Sequence, residues 1–190
     1  MLTGARRALR AYRARPVAVE PGMIPAAVAV ALCDGDDGLE ALFIHRAERA
    51  GDTWSGQIAF PGGRRDPGDA DLLATAIRET REEVGVDLST AESLGVLDDM
   101  PPPPRTPVLP PVVVRPFVFG LLERPAITLS AEVQDAFWAS FRALSAPGVL
   151  REITIHHRGV SRVLPAYVLG DRTIWGMTER ILTPLLKLVF

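Results

Sequence analysis

Three glutamates, Glu79, Glu82 and Glu83, lie close together in the segment from Leu72 to Val84. Apolar residues recur in this segment at helical spacing, which predicts an amphipathic helix with its apolar side docked on a sheet. At about 100° per residue, the three glutamates share one arc of that helix, on the side expected to face outward. Like charges at this spacing repel each other. Either solvent and neighbouring arginines or a bound cation must therefore offset the repulsion.

The segments around this helix predict a β-sheet. Ala26 to Cys33 and Glu40 to His45 are short apolar runs separated by the turn-forming residues 34–38, which indicates a hairpin. Further strands are predicted at Ser93 to Asp99, Val112 to Leu122, Glu152 to His157 and Val163 to Leu169. Further helices are predicted at Ala131 to Leu144, with Ser130 as N-cap, and at Gly176 to Val189. Strands and helices mixed in this way indicate one α/β domain, of the α+β type.

Two stretches that contain proline depart from regular strand and helix. Pro116 falls inside the strand Val112 to Leu122 and predicts either an edge strand or a bulge there. Pro101 to Pro111 reads PPPPRTPVLPP, which predicts an extended loop.

The chain has 190 residues, of which 47% are hydrophobic and 23% charged, enough for one core in residues 21–190. A net charge of -2 gives no overall positive field, so neither nucleic acid nor a membrane is predicted as a partner. No uncharged run approaches the roughly 18 residues of a membrane span, and we expect a cytoplasmic protein.

Residues 1–20 form a basic arm, expected to be a short solvated helix, with a polyphosphate contact or a transit-like peptide as alternatives. The single cysteine, Cys33, is expected to be a buried strand thiol.

The glutamates have the chemistry of a metal site. Carboxylates are hard oxygen ligands suited to Mg²⁺ or Mn²⁺. Just upstream, Pro61, Gly62 and Gly63 predict a sharp turn in which the backbone comes close to a ligand, so that a free carbonyl completes the metal shell. Taken alone, each feature also fits a bland alternative, namely a solvated acidic helix face and an ordinary loop.

Together these features resemble the signature of the Nudix hydrolases. The segment Arg78 to Gly85 reads RETREEVG and matches the Arg-Glu-x-x-Glu-Glu-x-Gly core, with Thr80 where an aliphatic residue is usual. The loop between Gly63 and Arg78 is one residue longer than the family pattern, so either Asp69 or Asp71 must replace the upstream acid. On a helical projection, Asp71 lies in the row of Arg78 and is expected to pair with it.

The resemblance implies an α/β/α sandwich with a mixed sheet and a catalytic loop-helix-loop. It assigns a divalent cation, Mg²⁺ or Mn²⁺, to Glu79, Glu82, Glu83 and the Gly62 carbonyl, with Arg78 in the catalytic group. Glu79 is also expected to orient the attacking water. The implied reaction is hydrolysis of a pyrophosphate bond in a nucleoside diphosphate linked to another group. Some members recruit an acid from a distant loop, for which Glu123 and Glu132 are candidates.

A wider stretch is similar to the coenzyme A diphosphatase branch of this family. The matching positions are Leu42, Arg46, Ala47, Gly56, Phe60 to Gly63 and, near the end of the chain, 174–178. Products would be 3',5'-ADP and 4'-phosphopantetheine. ADP-ribose, a dinucleotide or a nucleotide sugar is the alternative substrate, and a non-catalytic binding module is the alternative function.

The same context indicates a small-molecule nucleotide as the partner and leaves a homodimer open. Arginines are natural phosphate partners, and an aromatic ring stacks on a base or lines a channel. The predicted substrate contacts are Arg46, Arg49, Trp54, Gln57 and Arg64. His156 and His157, on a predicted strand, are expected to be surface or structurally satisfied histidines rather than bases.

Overall fold

A computed structural model describes residues 1–49, 51, 54–102, 111–157 and 159–189. Most of the proline-rich segment predicted as an extended loop lies outside these residues. The helices are α1 (Leu2–Ala11), α2 (Leu72–Val84), α3 (Phe141–Leu144) and α4 (Gly176–Val189). The strands are β1 (Ile24–Gly35), β2 (Gly38–Arg46), β3 (Ile58–Ala59), β4 (Gly62–Arg64), β5 (Glu92–Val96), β6 (Val112–Leu121), β7 (Val133–Ser140), β8 (Leu150–His157), β9 (Val160–Leu169) and β10 (Arg172–Trp175).

The larger sheet is mixed and splits open between two of its strands. Its order is β3-β2-β1-β6-β5, with β7 also paired to β2 and with β1 and β6 parallel. β1 pairs with β2 only over 32–35, and at 26–28 it pairs instead with β4. The other half of β2 pairs with β3. The loop that joins β3 to β4 therefore lies in the gap between β1 and β2, which is where the candidate site forms.

Helices cover both faces of this sheet. Alternate β1 side chains, among them Ala27 and Ala29, pack with Ala76 and Val84 of α2 in one apolar cluster. The side chains on the opposite face pack in a second cluster with α1 and α4. This alternation follows from the period of two in a strand that is buried on both faces. It confirms the α/β/α arrangement and the mixed sheet expected from the sequence.

The basic N-terminal segment is docked rather than fully solvated. Leu2, Ala5 and Leu9 form a buried stripe on α1, while the arginines occupy its other side. Arg6 pairs with Glu92 of β5 through contacts of 2.6 to 3.0 Å. The three apolar residues have the spacing of one helix face, which indicates docking. The cluster of arginines on the same segment indicates solvent, and it led to the prediction of a solvated helix.

Several predicted elements agree with the structure. The hairpin is β1 and β2, the glutamate-bearing helix is α2 with the predicted bounds, and the last helix is α4. Strands were also confirmed at β6, β8 and β9, and β5 is shorter than predicted. Cys33 is buried as expected. None of the helices in the described part of the chain is long and apolar enough to cross a bilayer.

The helix predicted over Ala131 to Leu144 is wrong. This stretch forms β7, paired antiparallel with β2, and only its end forms the short α3. Ser130 does not cap a helix, whereas Ser140 caps α3 by accepting from the Ala143 N–H at 3.1 Å. Val133 and Phe137, four residues apart, fit both periods, whereas buried Ala139 fits only the alternation of a strand, and pairing with β2 decides in favour of the strand.

The edge predicted from Pro116 is also wrong, because β6 lies between β1 and β5. β5 ends at Val96, opposite Phe117, and the irregular pairing lies on β5, between Ser93 and Gly95. The carbonyl of Pro116 still accepts from the Leu97 N–H at 3.0 Å. The proline lies just past the end of the β5 ladder, so its missing N–H costs the sheet little.

Candidate active site

A cavity of about 400 Å³ lies where β1 and β2 separate. One end is formed by the loop that enters β4 and by the acidic side of α2. The other end is apolar and lies between β1, β6 and α4. Small-molecule sites are typically such concave spaces, apolar with a few placed polar groups.

Glu83 is the most buried acid of the site. Its residue is 3% exposed, so the expectation that all three glutamates face outward is wrong for this one. The Gly62 N–H donates to Oε2 at 2.9 Å, and Arg46 Nη1 lies 3.4 Å from Oε1. Burial raises the pKa of Glu83 to about 7, because these two contacts only partly replace water. The helix thus carries a carboxylate that is costly to ionise in the protein alone.

Glu79 faces the same cavity. Burial raises its pKa above the ordinary value, against the opposing effect of the Arg78 guanidinium. A Cβ on Gly63 would stand 2.5 Å from the Glu79 carboxyl, so a larger residue here would push that carboxyl from its place. The paired glycines of the loop therefore bring backbone groups against both Glu79 and Glu83.

Glu82 points elsewhere. Its side chain is 60% exposed, accepts from Arg78 Nη1 at 2.9 Å and does not line the cavity. Among the residues that the structure describes, no three His, Cys, Asp or Glu side chains are gathered as a metal centre. Metal ligation by Glu82 stays a prediction, and it requires the side chain to leave Arg78.

Arg78 holds the acids in place from outside the cavity. It lies 3.0 Å from Glu79 Oε1, as well as contacting Glu82, and donates to the Arg64 carbonyl at 3.2 Å. Hydrogen bonds to Asp69 raise its pKa further, so it stays charged. The structure places Arg78 as a positioning residue rather than among the groups that face the cavity.

Asp69, and not Asp71, is the acid that orients Arg78. It accepts from Arg78 Nε and Nη2, both at 2.9 Å, and from the Thr75 hydroxyl at 2.9 Å. Asp71 instead caps α2 by accepting from the Ala74 N–H at 2.8 Å. The extra residue of the loop lies between Asp69 and the helix cap at Asp71. Asp69 therefore keeps the family's spacing from Gly63, and it is the acid that the family pattern places upstream of the helix.

Asp69→Asn is expected to lower the free energy of unfolding near neutral pH by about 1–3 kcal/mol. The Arg78 hydrogen bonds hold the pKa of Asp69 well below its usual range. A carboxyl with a lowered folded-state pKa stabilises the protein above its unfolded pKa of about 4 and loses that contribution as the pH falls. Melting curves should show the difference from wild type narrowing between about pH 4 and pH 2.

Asp71→Asn is the matched control, since asparagine caps a helix about as well as aspartate. We expect it to change the melting temperature little at any pH. Equal losses for both variants, or a loss in Asp69→Asn that does not depend on pH, would contradict the assignment of Asp69 to Arg78.

The predicted substrate residues divide into two groups. Arg46, Trp54, Gln57 and Arg64 all line the cavity. Arg49 does not, and its guanidinium lies 2.8 Å from Glu132, which does line the cavity. Glu123, the other distant acid considered, is exposed and outside it.

Other lining residues were not predicted from the sequence. Met177, Thr178 and Ile181 of α4 and Val112 and Val114 of β6 form the apolar end. Their pattern is that of ordinary core residues, and only the resemblance at 174–178 pointed towards this end of α4. His156 is exposed and lies 2.7 Å from the Ser161 hydroxyl, outside the cavity.

A turn rich in glycine beside a helix that carries Glu79, Glu82 and Glu83, set in the gap of a mixed sheet, defines a Nudix-type hydrolase. The sequence model of the NUDIX domain family matches residues 23–162 of this chain, and the chain belongs to this family.

Characterised relatives extend the likeness over most of the chain. The mitochondrial coenzyme A diphosphatase NUDT8 of Mus musculus is 31% identical over 178 residues, which cover 93% of this chain and 80% of that protein. The protein of the same name from Homo sapiens is 31% identical over 183 residues, covering 95% and 72%. A crystal structure of a MutT/nudix family protein from Enterococcus faecalis has a TM-score of 0.58 and 25% identity, covering 93% of this chain and 63% of that one.

Proposed function

We propose that this Nudix pyrophosphohydrolase acts on coenzyme A or an acyl derivative of it, releasing 3',5'-ADP and the corresponding 4'-phosphopantetheine. One observation carries the proposal: a single cavity joins two carboxylates, the half-buried Glu79 and the buried Glu83, to an apolar end. Coenzyme A matches this division, because it has a charged diphosphate beside a long uncharged arm. The relatives named as coenzyme A diphosphatases support this substrate.

The acidic end fits a divalent cation. Glu79 and Glu83 are hard oxygen donors facing one space, and the ionised forms of both are disfavoured by burial. A doubly positive ion would remove that cost, and the Gly62 carbonyl is the proposed third donor. When bound, Mg²⁺ or Mn²⁺ supplies charge neutralisation for the diphosphate and a more acidic water.

The chain's own residues have separate tasks. Arg78, fixed by Asp69, orients Glu79, which we propose aligns the attacking water. Arg46 and Arg64 line the cavity as cations for phosphate oxygens. The water oxygen becomes bonded to one phosphorus and gives a proton to a carboxylate of the cavity, for which Glu132 is the proposed acceptor, as the bridging oxygen of the diphosphate leaves with the other phosphorus.

Glu132→Gln is expected to lower turnover by about tenfold or more, because Glu132 lines the cavity and, besides its ion pair with Arg49, is proposed to accept a proton from water. Its charge also contributes to the raised pKa of Glu83. Glu123→Gln is the matched control, since that acid is exposed outside the cavity, and its turnover should stay within about twofold of wild type. Steady-state rates at saturating substrate decide; equal rates for the two variants exclude the role of Glu132.

A substrate panel tests the proposal. Coenzyme A, dephospho-coenzyme A, ADP-ribose, a dinucleotide and a nucleotide sugar are compared by kcat/KM with Mg²⁺ and with Mn²⁺. We expect coenzyme A or an acyl derivative to exceed the others by about tenfold or more, on the order of what a few good contacts supply. A preference for ADP-ribose would end the coenzyme A proposal and leave pyrophosphohydrolysis standing.

A further inference from the structure

We infer that the apolar end of the cavity is the subsite for the uncharged chain that lies beyond the diphosphate, which in coenzyme A is the pantetheine arm and any acyl group attached to it. This inference rests on the proposed function. It assigns substrate discrimination to Ala26 of β1, Val114 of β6 and Met177 and Ile181 of α4.

The sheet geometry places these residues around one space. Ala26 is the registered partner of Val114 in the parallel pair of β1 and β6, so both side chains lie on the same face of the sheet. Ile181 and Met177 cover that face from α4, one helical turn apart, and all four residues line the cavity. Ala26, Val114 and Ile181 are each at most 5% exposed. A group entering this space is therefore removed from water.

The chemistry of this end suits a chain better than a nucleobase. Thr178 is the hydroxyl-bearing residue here, and it already donates to the Ile58 carbonyl at 3.0 Å. The ring of Phe60 is already stacked on Phe43, with centroids 4.7 Å apart. Recognition of a purine calls for polar groups on its edge or a free aromatic face. Methylene groups need only the apolar surface that this end offers.

The distribution of charge in the cavity also favours an uncharged group at its apolar end. Arg64 is the registered partner of Ala26 on β4, so it shares the face of the apolar end, but it is exposed at the rim. Its guanidinium is therefore available to a phosphate, while the described residues that form the apolar end, on β1, β6 and α4, carry no charged side chain. An uncharged arm can pass inward from the diphosphate without the cost of burying an unpaired charge.

Filling the space tests the inference. Ala26→Leu adds apolar volume without removing a native contact, and we measure it with dephospho-coenzyme A and ADP-ribose, which share ADP and differ in the group beyond it. We expect kcat/KM for dephospho-coenzyme A to fall by about tenfold or more and that for ADP-ribose, or its inhibition constant if it is not cleaved, to change by less than about twofold. Ala126→Leu, at an exposed loop position, is the matched control and should alter neither.

A second variant enlarges the same space. Met177→Ala, at a half-buried position, should shift the preference among acyl-coenzyme A substrates towards longer chains, by several-fold relative to coenzyme A. Melting curves of both variants show whether they are folded. If Ala26→Leu does not fold, the chain-length preference of Met177→Ala decides, and an unchanged preference overturns the inference.

The outcomes separate this inference from the function on which it rests. Wild-type protein that cleaves no diphosphate refutes the proposed function itself. Wild-type protein that cleaves coenzyme A, with Ala26→Leu impairing both ligands equally, places the shared nucleotide at the apolar end and overturns only the inference. An unchanged kcat/KM in a folded Ala26→Leu variant overturns it as well, because the space is then not used.

Discussion

Glu83→Gln is expected to reduce turnover by about a hundredfold or more while making the metal-free protein more stable. The loss follows because a proposed cation ligand is removed, at a cost of several kcal/mol in the transition state. Glutamine keeps an oxygen that accepts from the Gly62 N–H, which is now 2.9 Å from Glu83 Oε2. The fold of the loop should therefore survive the substitution.

The gain in stability comes from burial. Because burial raises the pKa of Glu83 to about 7, ionisation of this carboxyl destabilises the folded protein once the pH exceeds the unfolded pKa of about 4. Above about pH 7 the full effect is present, and its removal should increase the free energy of unfolding by about 1–3 kcal/mol. For a chain of this length, that corresponds to roughly 3–8 °C in melting temperature. The increase in the free energy of unfolding should vanish at about pH 4.

Glu82→Gln provides the contrast on the same helix. We expect a similar loss of turnover if Glu82 ligates the cation after leaving Arg78. No increase in metal-free stability is expected, because its exposed side chain is in an ion pair with Arg78. Melting curves recorded with a chelator at about pH 8, beside rates with Mn²⁺, separate the two effects. A lower melting temperature for Glu83→Gln than for wild type would refute the account of its burial.

Gly62→Ala is expected to cost at least about 3 kcal/mol of stability and nearly all activity. Gly62 has a φ of 151°, which side-chain-bearing residues rarely adopt. A Cβ there would stand 2.2 Å from the Ala27 carbonyl oxygen and 2.6 Å from the Val28 Cα, and backbone cannot yield as a side chain can. Moving the loop would also break its contact with Glu83.

Gly148→Ala is the matched control for this variant. Gly148 also has a positive φ, of 79°, but a Cβ there meets nothing within 4 Å. We therefore expect it to cost only about 1 kcal/mol, the penalty of the backbone conformation alone. Urea unfolding of the two variants measures the difference. Similar losses for both would show that the close approach of β4 to β1 is not what Gly62 provides.

The local part of the site was readable from the sequence. The amphipathic period of Leu72–Val84 and the glycine at position 85, which ends α2 in the left-handed conformation, fix the helix with its predicted bounds. The turn at 34–38 fixes the hairpin in the same way. These features depend only on residues that are near each other in the sequence, so the sequence alone reveals them.

The features that sequence reasoning missed depend on long-range packing. The burial of Glu83 arises because the loop of β4 lies over it, and helical period alone cannot show that. The pairing of β7 with β2 overrides a helical pattern in the same way. The apolar end of the cavity was missed because Val114 and Ile181 look like core residues until β6 and α4 are seen to stand apart.

The most direct test of the central claim is hydrolysis of the preferred diphosphate in ¹⁸O-labelled water, with and without a divalent cation, followed by mass spectrometry of the products. The account predicts one labelled oxygen on a product phosphate, turnover only with Mg²⁺ or Mn²⁺, and near-complete loss in Glu79→Gln and Glu83→Gln. Undiminished turnover after chelation of the cation, or in either variant, would contradict it.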